Sequence, residues 1–203
     1  MARRSVPLKH YFLKDINWII RLLITSDVVL TGAAGLLGPI FAIFVSDFIV
    51  GGNAAVAGLA ASIYLLTKSL MQIPIATIID RIKGEKDDFY VMFVFTVAIA
   101  FIPLLYLFIS TPLQLYAVQF VLGLFTAATF PSYMAIFTRH IDRKHEGLEW
   151  GVYFTLTDFS SAALAAIGGF LAETAGFTVL IILVTMLSFL GSLFLWPIRK
   201  HIR

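Results

Sequence analysis

Three ionisable side chains stand inside long apolar runs and could carry a proton or hold a charged solute: Asp27, Lys68 and Asp158. A charge that faces lipid at mid-depth costs at least about 2.5–3.5 kcal/mol. Such groups are therefore expected to turn toward one another, toward a wet cavity, or both. Polar neighbours accompany them. Tyr64, Lys68 and Gln72 recur at four-residue spacing, the repeat of one helical face. Tyr153, Thr157 and Ser161 repeat that spacing beside Asp158, while Gln119 and Thr126 stand seven apart. Tyr64, Gln72, Gln119, Trp150, Tyr153 and Thr157 form the expected solute-contacting set, because phenol, indole, hydroxyl and amide groups suit a small polar molecule.

The elements that position these residues follow from composition. Of the 203 residues, 60% are hydrophobic and 13% charged, far from the balance of a soluble domain. A membrane span needs roughly 20 mostly apolar residues. Six such runs are present: about Trp18 to Val50, Ala54 to Ile79, Phe89 to Ile109, Leu113 to Phe137, Leu148 to Leu171, and Phe177 to Pro197. The breaks between them are Gly51-Gly52-Asn53, the charged run Arg81 to Asp88, Ser110-Thr111-Pro112, the charged run Arg139 to Glu146, and Ala175-Gly176. The predicted fold is an all-α membrane protein, one six-helix transmembrane domain over residues 1–203. Residues 1–17 are predicted to form an amphipathic segment on the inner leaflet.

With six alternating spans, fourteen of the fifteen Lys and Arg residues fall on one side, and the other side offers only Asp47 and Glu173. Cations mark the cytoplasmic loops. Both chain ends and both charged loops are thus predicted to be cytoplasmic, in a multi-pass protein of the inner cell membrane. The fifteenth cation is Lys68. At about 1.5 Å rise per residue, Lys68 lies about 18 Å from Asp80, and Asp27 and Asp158 lie about 15 Å from the inner ends of their spans. The three charges are expected to converge near the midplane, with Lys68 as counter-ion to Asp27 or Asp158. Spans three and six hold no charge and no amide. They are expected to look outward, and spans one, two, four and five to line a polar path. Small residues crowd the outer halves of spans two and five, where they permit close helix approach.

These features together resemble one six-helix half of a major facilitator superfamily transporter. Asp80-Arg81-Ile82-Lys83-Gly84-Glu85-Lys86 is similar to the family's signature after the second helix, with Ala76 in place of its leading glycine. Gln119-Phe120-Val121-Leu122-Gly123 matches the family's fourth-helix pattern, with Gln119 in place of its arginine. Ala165-Ala166-Ile167-Gly168-Gly169 resembles its glycine-rich fifth helix. The family is built from two six-helix halves related by an axis along the membrane normal. The resemblance implies a secondary transporter working by alternating access, here as a symmetric homodimer joined through spans two and five. It implies a cytoplasmic gate of Asp80, Arg81 and Arg139: Asp80 caps span five of the partner, and Arg139 holds Asp80 on its own side. Asp27 and Asp158 are then the candidate proton or cation carriers, switched by a moving Lys68. The solute is expected to be small and polar, sugar-like in chemistry. Half of a split transporter and a non-transporting membrane scaffold are the alternatives.

Other classes fit poorly. There is no cysteine, and no Ser-His-Asp set shares a depth, so no enzyme and no cofactor are expected. His140 and His145 lie among Arg and Lys, where repulsion disfavours a metal; both are predicted to be solvated loop residues. The basic loops act as topology determinants beside lipid, not as nucleic-acid sites.

Overall fold

The computed structural model describes residue 13 and residues 16–81 and 84–202. Most of the predicted N-terminal amphipathic segment, and part of the Asp80–Lys86 signature, lie outside the described residues. Five continuous helices are long and apolar enough to cross a membrane: Trp18–Phe48, Ala54–Arg81, Glu85–Leu105, Pro112–His140 and Glu146–Lys200. The last is 55 residues long and is broken at Gly176, whose φ of 82° and ψ of 164° cannot continue a helix. Glycine alone adopts that backbone without strain. The break yields spans five (146–175) and six (177–200), so the chain crosses six times, as the hydropathy predicts.

Local chemistry sets the ends. Asn17 caps span one by accepting from the Ile19 amide, which satisfies an otherwise orphaned donor. Span one is tightened by a short 3-10 turn, Gly38–Ile40, at Pro39. Span three starts four residues earlier than expected, at Glu85, because Glu85, Asp87 and Asp88 in its first turn suit the positive end of the helix dipole. Thr111 and Gln114 form a capping box at the head of span four.

The packing order runs five, one, six, three, four, two. Spans one and five run parallel, with the Ser160 hydroxyl donating to the Val28 carbonyl at 2.8 Å. Ser26 of span one donates to Gly191 of span six. Phe101 of span three meets Phe189 of span six, Phe95 meets Phe125 of span four, and Gly123 abuts the backbone of Tyr64 and Lys68 in span two. Spans two and five therefore stand at the two ends, and span two is the least buried. Loop contacts agree with alternation. Val50 N–H donates to Ser110 C=O at one end of the bundle, and Arg139 meets Asp88 at the other, basic end. Two cores stack along the bundle. One, around Leu36, Phe44, Ile102 and Leu180, lies far from the basic end. The other, around Leu23, Phe89, Phe137 and Ile198, lies next to it.

Candidate functional site: an acid-floored cavity inside the bundle

A cavity of about 550 Å³ opens beside the first of these cores, whose Leu37, Ile102, Tyr106 and Val184 line it. Its floor is Asp27, joined by Thr31 one turn further along span one. Its walls are mostly carbon, supplied by side chains such as Leu30, Phe41, Ile99, Leu122 and Val184. Spans one, two, three, four and six all contribute. This corrects the expected division of faces: Tyr106 of span three and Ser188 of span six line the cavity, and no span-five residue does. Spans three and six lack charge, but an apolar cavity wall lacks charge too.

Asp27 is half-buried and accepts a hydrogen bond from the Tyr153 hydroxyl at 2.6 Å. The parallel packing of spans one and five brings them together. The expected convergence of three charges does not occur. The Lys68 ammonium sits 5.0 Å from the centroid of the Phe130 ring, a cation–π contact. Among the described residues the ion pairs are Arg139–Asp88 and His140–Glu85, so no carboxylate lies within 4 Å of Lys68. Asp158 is exposed. It stands five residues after Tyr153, about 140° around the helix at 3.6 residues per turn, so it cannot share the face that meets Asp27. Equal depth fixed one coordinate of these charges; the turn of each helix fixed the other.

The expected solute set divides likewise. Tyr64 and Gln119 line the cavity. Gln119 is buried, and its amide donates to the Tyr106 hydroxyl at 3.0 Å. Gln72 is half-buried and lies off the cavity wall. Trp150 instead stacks on Phe137 at 4.4 Å between centroids, in the core at the basic end. Thr157 is buried, and its hydroxyl bonds back to the carbonyl of Tyr153 in its own helix, a common fate of helical threonine.

The gate set is also revised. Arg139 pairs with Asp88, not with Asp80. Asp88 is 2% exposed, on the first turn of span three, which packs on the end of span four. Asp80 and Arg81 are exposed at the end of span two. His140 is no solvated loop residue either: it closes span four, with Nδ1 3.0 Å from the Ile136 carbonyl and 3.8 Å from Glu85. Removing the Arg139 head group strands a buried carboxylate, at about 1–3 kcal/mol. Arg139→Ala is therefore expected to melt several degrees lower in nanodiscs, with Asp88→Asn/Arg139→Ala recovering much of the loss. Equal melting of wild type and Arg139→Ala would show that the pair carries no weight.

Two residues escaped the sequence reading. Tyr106 partners Gln119, and Tyr133 is buried against Tyr153, its hydroxyl without a partner among the described residues. A signal for Tyr133 existed: it continues the seven-residue repeat of Gln119 and Thr126. Tyr106 carried none, since it ends a span read as lipid-facing.

A bundle of six apolar spans defines a multi-pass membrane protein. Residues 23–202 match the Major Facilitator Superfamily, and the chain belongs to that family. It is 27% identical over 147 residues to "Uncharacterized transporter YybO" of Bacillus subtilis (strain 168), a match that covers 71% of this chain and 32% of that protein. Its fold superposes on the crystal structure of the POT family transporter PepTSo with a TM-score of 0.74 at 16% identity, over 91% of this chain and 38% of that one. The chain thus spans about a third of the length of either protein.

Proposed function

We propose that the chain works as a secondary-active transporter of the inner cell membrane, assembled as a symmetric homodimer through spans two and five. The two protomers rock about the cleft between them in alternating access. The observation that carries this reading is a pair of charges on the two end spans that form no ion pair among the described residues. Lys68 lies twelve residues from Asp80, and Asp158 twelve residues from Glu146. Both therefore stand about 18 Å from the basic end at 1.5 Å per residue. A two-fold axis along the membrane normal sets Lys68 of one protomer against Asp158 of its partner, twice over, since such an interface is self-complementary. Exposed small residues beside Asp158, namely Ala162, Ala163 and Ala166, and Gly58 and Ser62 on span two, allow the close approach this needs.

In this reading the cargo is a small polar solute that passes Gln72, Lys68 and Asp158 along the cleft. A sugar-like cargo draws less support, because Trp150 and Thr157 face into the bundle. Asp27 carries the coupling proton, and Asp80 of one protomer caps span five of the other as a cytoplasmic latch. Native mass spectrometry from nanodiscs tests the assembly. Wild type is expected to release two copies per disc and Lys68→Asp one, with Lys68→Asp/Asp158→Lys restoring two. Wild type released as single copies would overturn the homodimer in favour of a different partner. Dimers that survive Lys68→Asp undiminished would overturn the paired-charge interface.

A further inference from the structure

We propose that the outer face of spans three and six, at the basic end of the bundle, holds one anionic phospholipid by its phosphate, with Arg199 as the main contact and Lys86 beside it. Every residue of this site belongs to one bundle, so it depends neither on the homodimer nor on transport.

The end of span six builds the site. There the chain winds into a short 3-10 helix, Trp196–Lys200. Its inward side is anchored: Leu195, Ile198 and Ile202 are buried in the core at the basic end. Its outward side carries Trp196, Arg199 and Lys200, all exposed. Trp196 packs on Phe93 of span three, 5.0 Å between ring centroids. The Arg199 guanidinium lies 3.8 Å from the centroid of the Trp196 ring, a cation–π contact. A guanidinium held on an indole keeps its edge of N–H donors free and has already given up rotamer freedom. Among the described residues no carboxylate lies within 4 Å of Arg199 or Lys86.

Span three supplies the second cation. Three residues at about 2.0 Å each set Arg199 about 6 Å nearer the basic end than Trp196. Four residues at about 1.5 Å each set Tyr90 as far from Phe93, so Tyr90 and Arg199 are level. Lys86 follows one turn further out, on the same exposed stripe as Tyr90 and Val94. The acids of that first turn are drawn off: Asp88 pairs with Arg139, and Glu85 lies 3.8 Å from His140. One oxygen of Asp87 is enclosed. Beyond the cations, the same face is bare hydrocarbon. Val94 and Phe101 of span three and Leu190 and Leu193 of span six are exposed. Spans three and six stand mid-way in the packing order, away from end spans two and five, so a partner on those spans leaves this face to lipid. A free phosphate would meet only the cations, whereas a phospholipid meets the cations with its phosphate and the stripe with its chains. Basic sites between spans suit anionic head groups. A zwitterionic head would bring a cation of its own against Arg199, Lys200 and Lys86.

The test titrates the full chain in detergent with dioleoylphosphatidylglycerol and counts retained lipids by native mass spectrometry. Dioleoylphosphatidylcholine and free glycerol phosphate are the comparison ligands. One phosphatidylglycerol per chain is expected to bind ahead of all others, in monomer and dimer alike. Arg199→Ala should weaken that first binding about tenfold, the worth of a charged hydrogen-bond donor. Trp196→Leu keeps every charge and should weaken it several-fold, because the guanidinium loses its platform. Lys86→Ala should weaken it several-fold as well. Arg143→Ala removes an exposed cation from the loop between spans four and five and should leave it unchanged. Phosphatidylcholine bound as tightly would overturn the anionic preference. Displacement by glycerol phosphate at the concentration of the lipid would overturn the lipid in favour of a free phosphate ester. Wild-type binding in Arg199→Ala, or an equal loss in Arg143→Ala, would overturn the site and leave only diffuse attraction to the basic end. Should Arg199→Ala or Trp196→Leu fail to fold by thermal melting, Lys86→Ala and the lipid comparison decide alone. Because lipids are counted per chain and not as transport, failure of the homodimer reading leaves this result interpretable.

Discussion

Uphill uptake into proteoliposomes is expected to fall to the level of protein-free vesicles in Asp27→Asn, while the protein stays folded. The substitution is nearly isosteric. The Tyr153 hydroxyl, 2.6 Å from the carboxylate in the native chain, can donate equally to an amide oxygen. The seam between spans one and five keeps its bond, and the stability change should stay within about 1 kcal/mol, the net worth of one hydrogen bond. What the amide cannot do is take up and release a proton. Accumulation driven by a proton gradient should therefore vanish, and solute-for-solute exchange, which needs no net proton movement, should persist. Tyr153→Phe should give a milder defect, since the ring packing survives and only the donor is lost. Full uphill accumulation by a well-folded Asp27→Asn would remove Asp27 from the coupling mechanism.

The spans were legible in the sequence for a physical reason. Inside lipid every backbone polar group must be satisfied within its own segment, so the chain has to spell out each helix in a continuous apolar run and mark each turn. Gly176 shows how well this works: one glycine after Ala175 is the whole boundary between spans five and six, and the backbone breaks there. Azimuth was harder to read. Counting residues from the basic end puts Lys68, Asp27 and Asp158 at one depth, but which way each points depends on which neighbours its helix packs against, and that is decided by small residues where the helices touch. Gly123 fixes span two on span four, and with it Lys68 against Phe130. Ser160 fixes span five on span one, and with it Tyr153 against Asp27. Arg139 failed for another reason. Its expected partner, Asp80, came from the family's pattern, yet Asp88 lies buried on the helix beside it. The cavity itself was invisible, because its walls have the composition of a lipid-facing surface.

Gly168→Val is expected to be the most disruptive single substitution in the bundle. A side-chain carbon at Gly168 would lie 2.0 Å from the Leu36 carbonyl oxygen and 2.7 Å from its carbon. Those are backbone atoms in the middle of span one and cannot rotate away, so the two helices must part by more than an ångström. Ordinary overpacking costs about 1–3 kcal/mol. Here the same displacement also strains the Ser160–Val28 and Tyr153–Asp27 bonds along the seam. A loss of about 3 kcal/mol or more corresponds to roughly 6–12 °C in melting temperature for a chain of this size, and Asp27 would lose its partner with it. Ala166→Val provides the contrast. It lies two residues earlier on the exposed side of the same helix, so it should leave the melting temperature of the isolated bundle nearly unchanged and weaken only the association of two copies. The opposite ranking, with Ala166→Val unfolding the bundle and Gly168→Val tolerated, would mean that span five presents its other face to span one. Asp158 would then point inward, and the charge pairing across the two-fold axis would have no basis.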